Sequence, residues 1–170
     1  YLHSYSNPVH EIETVKIIKE LWPDVAVTAS HEVTREWREY ERTSTTVLNS
    51  YVKPIATTYI ERLEGELKKI NYSSKNYIMQ SNGGTTTFEQ SKQIPINMVE
   101  SGPVAGIYGA AILGKFLNED NIIAFDIGGT TAKCSLIDSG EVKVTTEYHI
   151  ERDERNAGYP IKVPVVDIVE

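Results

Sequence analysis

The stretch NIIAFDIGGTTAKCSLIDSGEV, residues 121–142, constrains this chain more than any other. An apolar run from Ile122 to Ile127 carries one carboxylate, Asp126, crosses Gly128, Gly129, Thr130 and Thr131, and resumes as an alternating strand to Ile137. That pattern demands β structure on both sides of a loop. Glycine has no Cβ, so the Gly128-Gly129 pair lets the backbone turn sharply and approach a ligand closely. Successive amides in such a turn form an anion-binding concavity. Thr130 and Thr131 add hydroxyls that can donate to phosphate oxygens. Asp126 stands where it could hold a divalent ion through water, or orient an attacking water. The alternative is a tight hairpin with polar turn residues. Two details favour the phosphate loop. A two-residue hairpin does not need five consecutive small or polar positions, and a helix opened by Ser101-Gly102-Pro103 immediately precedes the strand.

The rest of the chain alternates helical and extended patterns. Asn7-Pro8 announces a helix whose Ile12, Val15, Ile18 and Leu21 recur at helical spacing before Pro23-Asp24 stops it. Val25 to Thr28 reads as a short buried strand. A long amphipathic helix, capped by Thr43 or Ser44, is predicted from Leu48, Val52, Ile55, Tyr59, Leu63, Leu67 and Ile70, and Pro54 should kink or divide it. Tyr77 to Gln80 reads as a strand ending in the turn Ser81-Asn82-Gly83-Gly84, and Thr87 to Gln93 as a short helix. The helix from Ser101 places Val104, Ile107, Tyr108, Ala111 and Ile112 on one face and should close at Gly114. After Ile137 come a turn at 138–140 and a strand from Glu141 to Ile150. Alternation followed by a meander gives an α/β layered architecture with a mixed sheet.

Composition narrows the function classes. Seventeen basic residues face 24 acidic ones, a formal charge of −7, and the basic residues are interspersed with acidic ones. This argues against nucleic acid as a partner. A single cysteine, Cys134, excludes an internal disulfide and a cysteine metal cage, and its place in a strand reads as packing. No apolar run reaches the length a bilayer requires, so no membrane partner is expected. The chain starts at Tyr1 and reads as an excerpt of a longer protein.

Other candidates carry two readings each. Ser101 and Gly102 are either a plain helix start or an anion site. His31, beside Glu32, is either a hydrogen-bonded structural histidine or a base or metal ligand. Arg42 and Thr43 are either capping residues or part of a substrate cleft. Ser81, Asn82, Gly83 and Gly84 are either a turn or a ligand loop beyond a strand end. The motif of a serine-hydrolase elbow, G-x-S-x-G, does not occur.

The segment from Asp126 to Lys133, DIGGTTAK, resembles the phosphate loops of the actin, sugar-kinase and Hsp70 superfamily. With SHEV at 30–33, ERTSTTVLN at 41–49, MQSNGG at 79–84 and ESGPVAG at 100–106, the whole chain resembles the hydantoinase A/oxoprolinase family. That resemblance implies an actin-like, ribonuclease H-related α/β fold, present here as an internal fragment and a partial domain. About 1–95 would form a helix-rich part, and about 96–170 a connecting helix with the phosphate-loop meander. It also implies ATP with Mg²⁺ or another divalent cation, bound at Asp126, Gly128, Gly129, Thr130, Thr131, Ser101 and Gly102.

The reaction implied is ATP-dependent opening of a cyclic amide such as a hydantoin or 5-oxoproline. An ATP-using subunit of an acetone-type carboxylase and a non-catalytic actin-like binding module are the alternatives. Asp126 and His31 are the catalytic candidates, and Arg42, Thr43, Ser81, Asn82, Gly83 and Gly84 the substrate-binding ones. A hydantoinase B-type partner subunit or domain and a cytoplasmic location are expected. One departure is Lys133, where many family members carry Asp; it would pair with phosphate or lie along the strand. The family bears another phosphate loop nearer its N-terminus, so these 170 residues hold part of a nucleotide cleft. Titration calorimetry of the isolated chain should therefore give weak or undetectable Mg-ATP binding; tight stoichiometric binding would contradict this.

Overall fold

One long helix, Glu39–Lys69 (α3), organises the first half of a computed structural model describing residues 1–129, 131–152 and 154–169. Two shorter helices precede it, Val9–Leu21 (α1) and Ser30–Val33 (α2). A hairpin follows, Tyr77–Met79 (β1) with Thr85–Thr87 (β2), then helices Phe88–Gln93 (α4) and Ser101–Leu117 (α5). The remaining strands are Ile122–Ile127 (β3), Ala132–Asp138 (β4), Glu141–Val142 (β5), Val144–Thr145 (β6), Tyr148–Ile150 (β7), Tyr159–Ile161 (β8) and Val165–Val166 (β9). None of the helices is long and apolar enough to cross a membrane, among the described residues.

The chain forms two compact units, each assembled from three separate stretches rather than one consecutive half. The first comprises residues 1–76, 87–96 and 147–163, and the second 77–86, 97–146 and 164–170. In the first, α3 packs against α2, α4 and β8, and β7 pairs antiparallel with β8. The innermost line of α3 is polar over its N-terminal half. Arg42, Thr45 and Asn49 are fully buried there, whereas Ile55, Tyr59 and Ile70 of the predicted apolar face are exposed. The reason is hydrogen bonding. The Thr45 hydroxyl donates to the Glu41 carbonyl and accepts the Lys162 amide at 2.8 Å. Asn49 Oδ1 accepts the Ile96 amide at 3.2 Å, while Nδ2 donates to the Gln93 carbonyl. Buried backbone groups far apart in sequence thus find their partners on one helix.

The helix begins at Glu39, earlier than the expected cap at Thr43 or Ser44, and runs through Pro54 as one element. In α1 the buried residue is Glu11, while Ile12 and Leu21 are exposed. Val25 to Thr28 has no strand partner among the described residues and is a loop rather than a strand.

In the second unit, α5 lies across the sheet β3-β4-β5. Val104, Ile107 and Ala111 of α5 meet Ala124, Ile137 and Val166 in one core. Gly114 does not close α5, which continues to Leu117 and ends at Asn118 in the left-handed region, φ 58°. Its role is packing: a Cβ on Gly114 would lie 2.3 Å from Ile122 Cδ1 and 2.6 Å from the Glu119 carbonyl oxygen. The expected strand over 141–150 breaks into three pieces, because β6 leaves the hairpin to pair with β9 and β7 pairs with β8.

Replacing Asn49 with Leu keeps the volume but strands the Ile96 amide and the Gln93 carbonyl. The folded state should lose roughly 2–3 kcal/mol, read as a lower urea midpoint; an unchanged midpoint would show that these groups have other partners.

Candidate functional site

The register of β3 and β4 sets the geometry at the hairpin tip. Asp126 lies opposite Lys133 and Ile127 opposite Ala132, so the loop holds four residues, 128–131. Side chains alternate across a strand, which puts Asp126 and Lys133 on the face of Ala124 and Ile137, the face turned toward α5. Asp126, Gly128, Gly129 and Thr131 are all solvent-exposed. Thr130 lies outside the described residues. The Gly128 amide donates to the Thr131 carbonyl at 3.0 Å and closes the turn. That N–H is committed to the loop and does not join the anion-binding concavity expected of the turn.

A cleft of about 500 Å³ opens beside the loop, lined by Gly102, Pro103 and Gly106 of α5 and by Asp126 and Lys133. The sequence-predicted residues Asp126 and Gly102 therefore share one concavity. Ser101 begins α5, but the cap position before it is Glu100, held at φ 59°. Glu100 also takes Lys133, whose Nζ stands 2.5 Å from its carboxylate. Lys133 thus pairs with a side chain of its own unit. Asp126, Glu100 and Lys133 together leave the cleft one negative charge in excess.

The glycines that line this cleft, Gly102 and Gly106, and those of the adjoining loop, Gly128 and Gly129, are informative because the local packing does not demand them. A Cβ built on Gly102, Gly106 or Gly129 meets nothing within 4 Å, and on Gly128 only the Thr131 carbonyl oxygen at 3.9 Å. None of the four has a positive φ. Glycine inside a helix costs about 0.5–1 kcal/mol relative to alanine. The open space in front of these positions fits a ligand approaching the backbone closely. Among the described residues, no group of three or more His, Cys, Asp or Glu could hold a metal ion.

The other candidates have different surroundings. Ser81 is buried, and its hydroxyl and amide both donate to the Asn97 carbonyl. Asn82 Oδ1 accepts the Gly84 amide at 2.9 Å, and Gly83 sits at φ 86° with a Cβ position only 1.9 Å from the Tyr108 ring. This segment serves the turn and its packing.

His31 bonds not to its neighbour Glu32 but to Glu11, with Nδ1 2.8 Å from Oε2. Glu11 Oε1 accepts the Ser30 hydroxyl at 2.5 Å, and the His31 amide reaches Oε2 at 3.1 Å. Burial alone would push the Glu11 carboxyl up; the hydrogen bonds from Ser30 and His31 outweigh it and hold the pKa at about 2. Arg42, 2% exposed, donates Nε to Ser30 Oγ, Nη1 to the Glu36 carbonyl and Nη2 to the Tyr1 carbonyl. Thr43 is exposed on the next position of α3. Glu11 escaped the sequence reading, although its spacing to Val15 and Ile18 places it on their helical face.

These features define a class. The chain is a partial actin-like ATPase domain of α/β type: it aligns with the nucleotide-free structure of acetone carboxylase over 99% of its length, at TM-score 0.84 and 27% identity. More narrowly, residues 42–170 match the hydantoinase/oxoprolinase family, and the chain belongs to that family. It is 42% identical over its whole length to an uncharacterised protein of Methanocaldococcus jannaschii and 30% identical over 99% of its length to the caprolactamase alpha subunit of Pseudomonas jessenii. It spans 26% and 23% of those relatives, and 23% of the carboxylase chain.

Because the Glu11 carboxyl is lowered on folding, its stabilisation is complete above about pH 4.5 and is lost as pH falls toward about 2. A Glu11→Gln variant should lose at most on the order of 3 kcal/mol at neutral pH. It should also show a flatter stability profile between these limits, measured by denaturation at stepped pH; an acid limb identical to wild type would refute the assignment.

Proposed function

We propose that this chain supplies one wall of the Mg-ATP site in an ATP-dependent enzyme of the hydantoinase/oxoprolinase type, which couples ATP hydrolysis to opening of a cyclic amide. The observation that carries the reading is the shared cleft of Asp126, Lys133 and the α5 start, bordered by glycines that neither φ nor neighbours require. The 4 Å of open space at Gly102, Gly106 and Gly129 admits phosphate oxygens close to backbone. The excess negative charge disfavours a bare phosphate and favours a nucleotide carrying its divalent cation, with Asp126 facing the metal's water shell.

When bound, Mg-ATP would supply an electrophilic phosphorus, and a phosphorylated amide oxygen would make the amide carbon a better electrophile for water, the ring nitrogen then departing. The residues of this chain would position and neutralise. Gly129, Thr131 and the first turn of α5 would border the phosphates, and Thr130 joins them by its place in the sequence. Lys133, tethered to Glu100, would keep the cleft wall fixed. Ser101 and Gly102 would contribute helix-start amides.

The name of the caprolactamase alpha subunit speaks for a cyclic amide as substrate and for a second, hydantoinase B-type subunit as partner. The likeness to acetone carboxylase supports the second reading, a subunit that activates a ketone for carboxylation. Both use the same cleft for ATP.

In the full-length enzyme, Asp126→Ala should lower ATP hydrolysis at least 100-fold while the protein stays folded. Gly106→Ala should raise the melting temperature yet weaken nucleotide binding. Gly109→Ala, equally open but outside the cleft, should raise the melting temperature alone. Full ATPase activity in Asp126→Ala would end the proposal. Stimulation of ATP hydrolysis by a hydantoin or 5-oxoproline selects the amide hydrolase, and stimulation only by ketone with bicarbonate selects the carboxylase.

A further inference from the structure

The strand β3, IIAFDI, carries hydrocarbon at every position but Asp126, and so on both faces of the sheet. Half-buried strands alternate apolar with polar residues, whereas near-continuous apolar runs belong to strands covered on both faces. Here one face alone is covered, where Ala124 lies with Ile137 in the core under α5. The opposite face carries Ile123, Phe125 and Ile127 and, from β4, Leu136, each between 62% and 70% exposed. Ile123 stands across from Leu136, Phe125 from Cys134 and Ile127 from Ala132, so these side chains form one continuous apolar surface.

The edge of the same strand is open. Among the described residues, β3 has β4 on one side and no neighbour on the other. An antiparallel strand turns the N–H and C=O of every second residue toward its partner and leaves the rest pointing outward. Natural sheets blunt such an edge with lysine, proline or a bulge, because a bare one recruits other chains. β3 holds no basic residue and no proline, and its register with β4 runs unbroken from Ile122 to Ile127. An apolar face and an undefended edge on one strand fit a further β-strand with an apolar layer behind it.

Length and register point to the source. About three-quarters of each relative's polypeptide lies outside the stretch that this chain matches. A second copy suits the edge poorly. Antiparallel β3–β3 pairs centred on Ala124, Phe125 or Asp126 would set Asp126 against Ile122, Ala124 or the other Asp126. Each places a carboxylate opposite hydrocarbon or opposite its like.

We propose that β3 is an interior strand of the complete protein. A strand from the polypeptide outside these 170 residues pairs with its free edge, and an apolar layer from that same polypeptide covers Ile123, Phe125, Ile127 and Leu136. Pairing along β3 ends beside Asp126, so the added strand also braces the base of the loop at 128–131. The inference uses only the face and edge of β3 and stands apart from the nucleotide reading.

The experiment uses the full-length protein, purified alone. Phe125 is replaced by the photo-crosslinking residue p-benzoylphenylalanine, and irradiated samples are mapped by mass spectrometry. The expected product is a crosslink within one chain, from position 125 to a segment outside these residues. Crosslinking to a second copy or to a segment within 1–170, or no crosslink at all, would overturn the cover. Hydrogen exchange of the unsubstituted protein tests the edge and serves if the substituted one does not fold. Every amide from Ile123 to Ile127 should exchange at least 100-fold more slowly than in the unfolded chain. Fast exchange at alternate residues would leave the edge free and refute the added strand. Protection lost on dilution to monomer would assign the edge to a second copy, and protection gained only with a partner subunit would assign it to that subunit; either result overturns the proposal.

Discussion

The buried polar line of α3 is the constraint on which the first unit depends. A helix satisfies its own backbone, so any hydrogen-bonding side chain on its inner face is available to something else. Arg42 spends that capacity on the Glu36 and Tyr1 carbonyls, Thr45 on the Lys162 amide, and Asn49 on Gln93, Ile96 and Thr28. Apolar side chains at these positions would fill the same volume. They would leave five backbone groups and one hydroxyl without these partners, at a desolvation cost that burial of a few methyl groups does not offset. The helix therefore works as a template: chain segments with no sheet to join are held against it one polar group at a time.

The second unit is held by different means, and its candidate site follows from that difference. Its core is aliphatic, with α5 lying on Ala124 and Ile137, and the last stretch adds Val166. This stretch is threaded in by backbone pairing: the Val166 amide donates to Ser81, and Cys134 and Val169 exchange two hydrogen bonds. Among the described residues at the hairpin tip and the α5 start, the Gly128 amide and the Glu100–Lys133 pair are committed to the fold, while Asp126 and Thr131 are exposed to solvent. A fold that spends few polar groups on itself can present them to a ligand. The unneeded glycines follow the same logic, since each lowers helix or loop stability without repaying it inside the unit.

The sequence showed the second unit far better than the first. Ile122 to Ile137 is legible because alternation and a Gly-Gly loop are local signals, and α5 because Ser101-Gly102-Pro103 marks its start. Thr87 was likewise readable as the start of α4, where its hydroxyl accepts the Gln90 amide. The polar line of α3 was not legible, because apolar periodicity at Leu48, Val52 and Ile55 points to a neighbouring face. What decides the burial of Thr45 and Asn49 lies as far off as Lys162. Gly114 misled for a related reason: glycine ends many helices, and only the position of Ile122 reveals that it is a packing requirement. The same limit applies to His31. Its neighbour Glu32 looks like a partner on paper, while the real one, Glu11, is brought in by the path of the chain between α1 and α2.

The woven path of the polypeptide has a consequence for its biogenesis. Residues 147–163 complete the first unit, and residues after them complete the second. As the ribosome extends the chain, Thr45 is made 117 residues before Lys162 arrives to meet it, so that position of the nascent helix must wait unmet. Neither unit can be cut out as an uninterrupted piece, and the first has all its stretches before the second does. A truncation near residue 146 would remove the third stretch of both units at once.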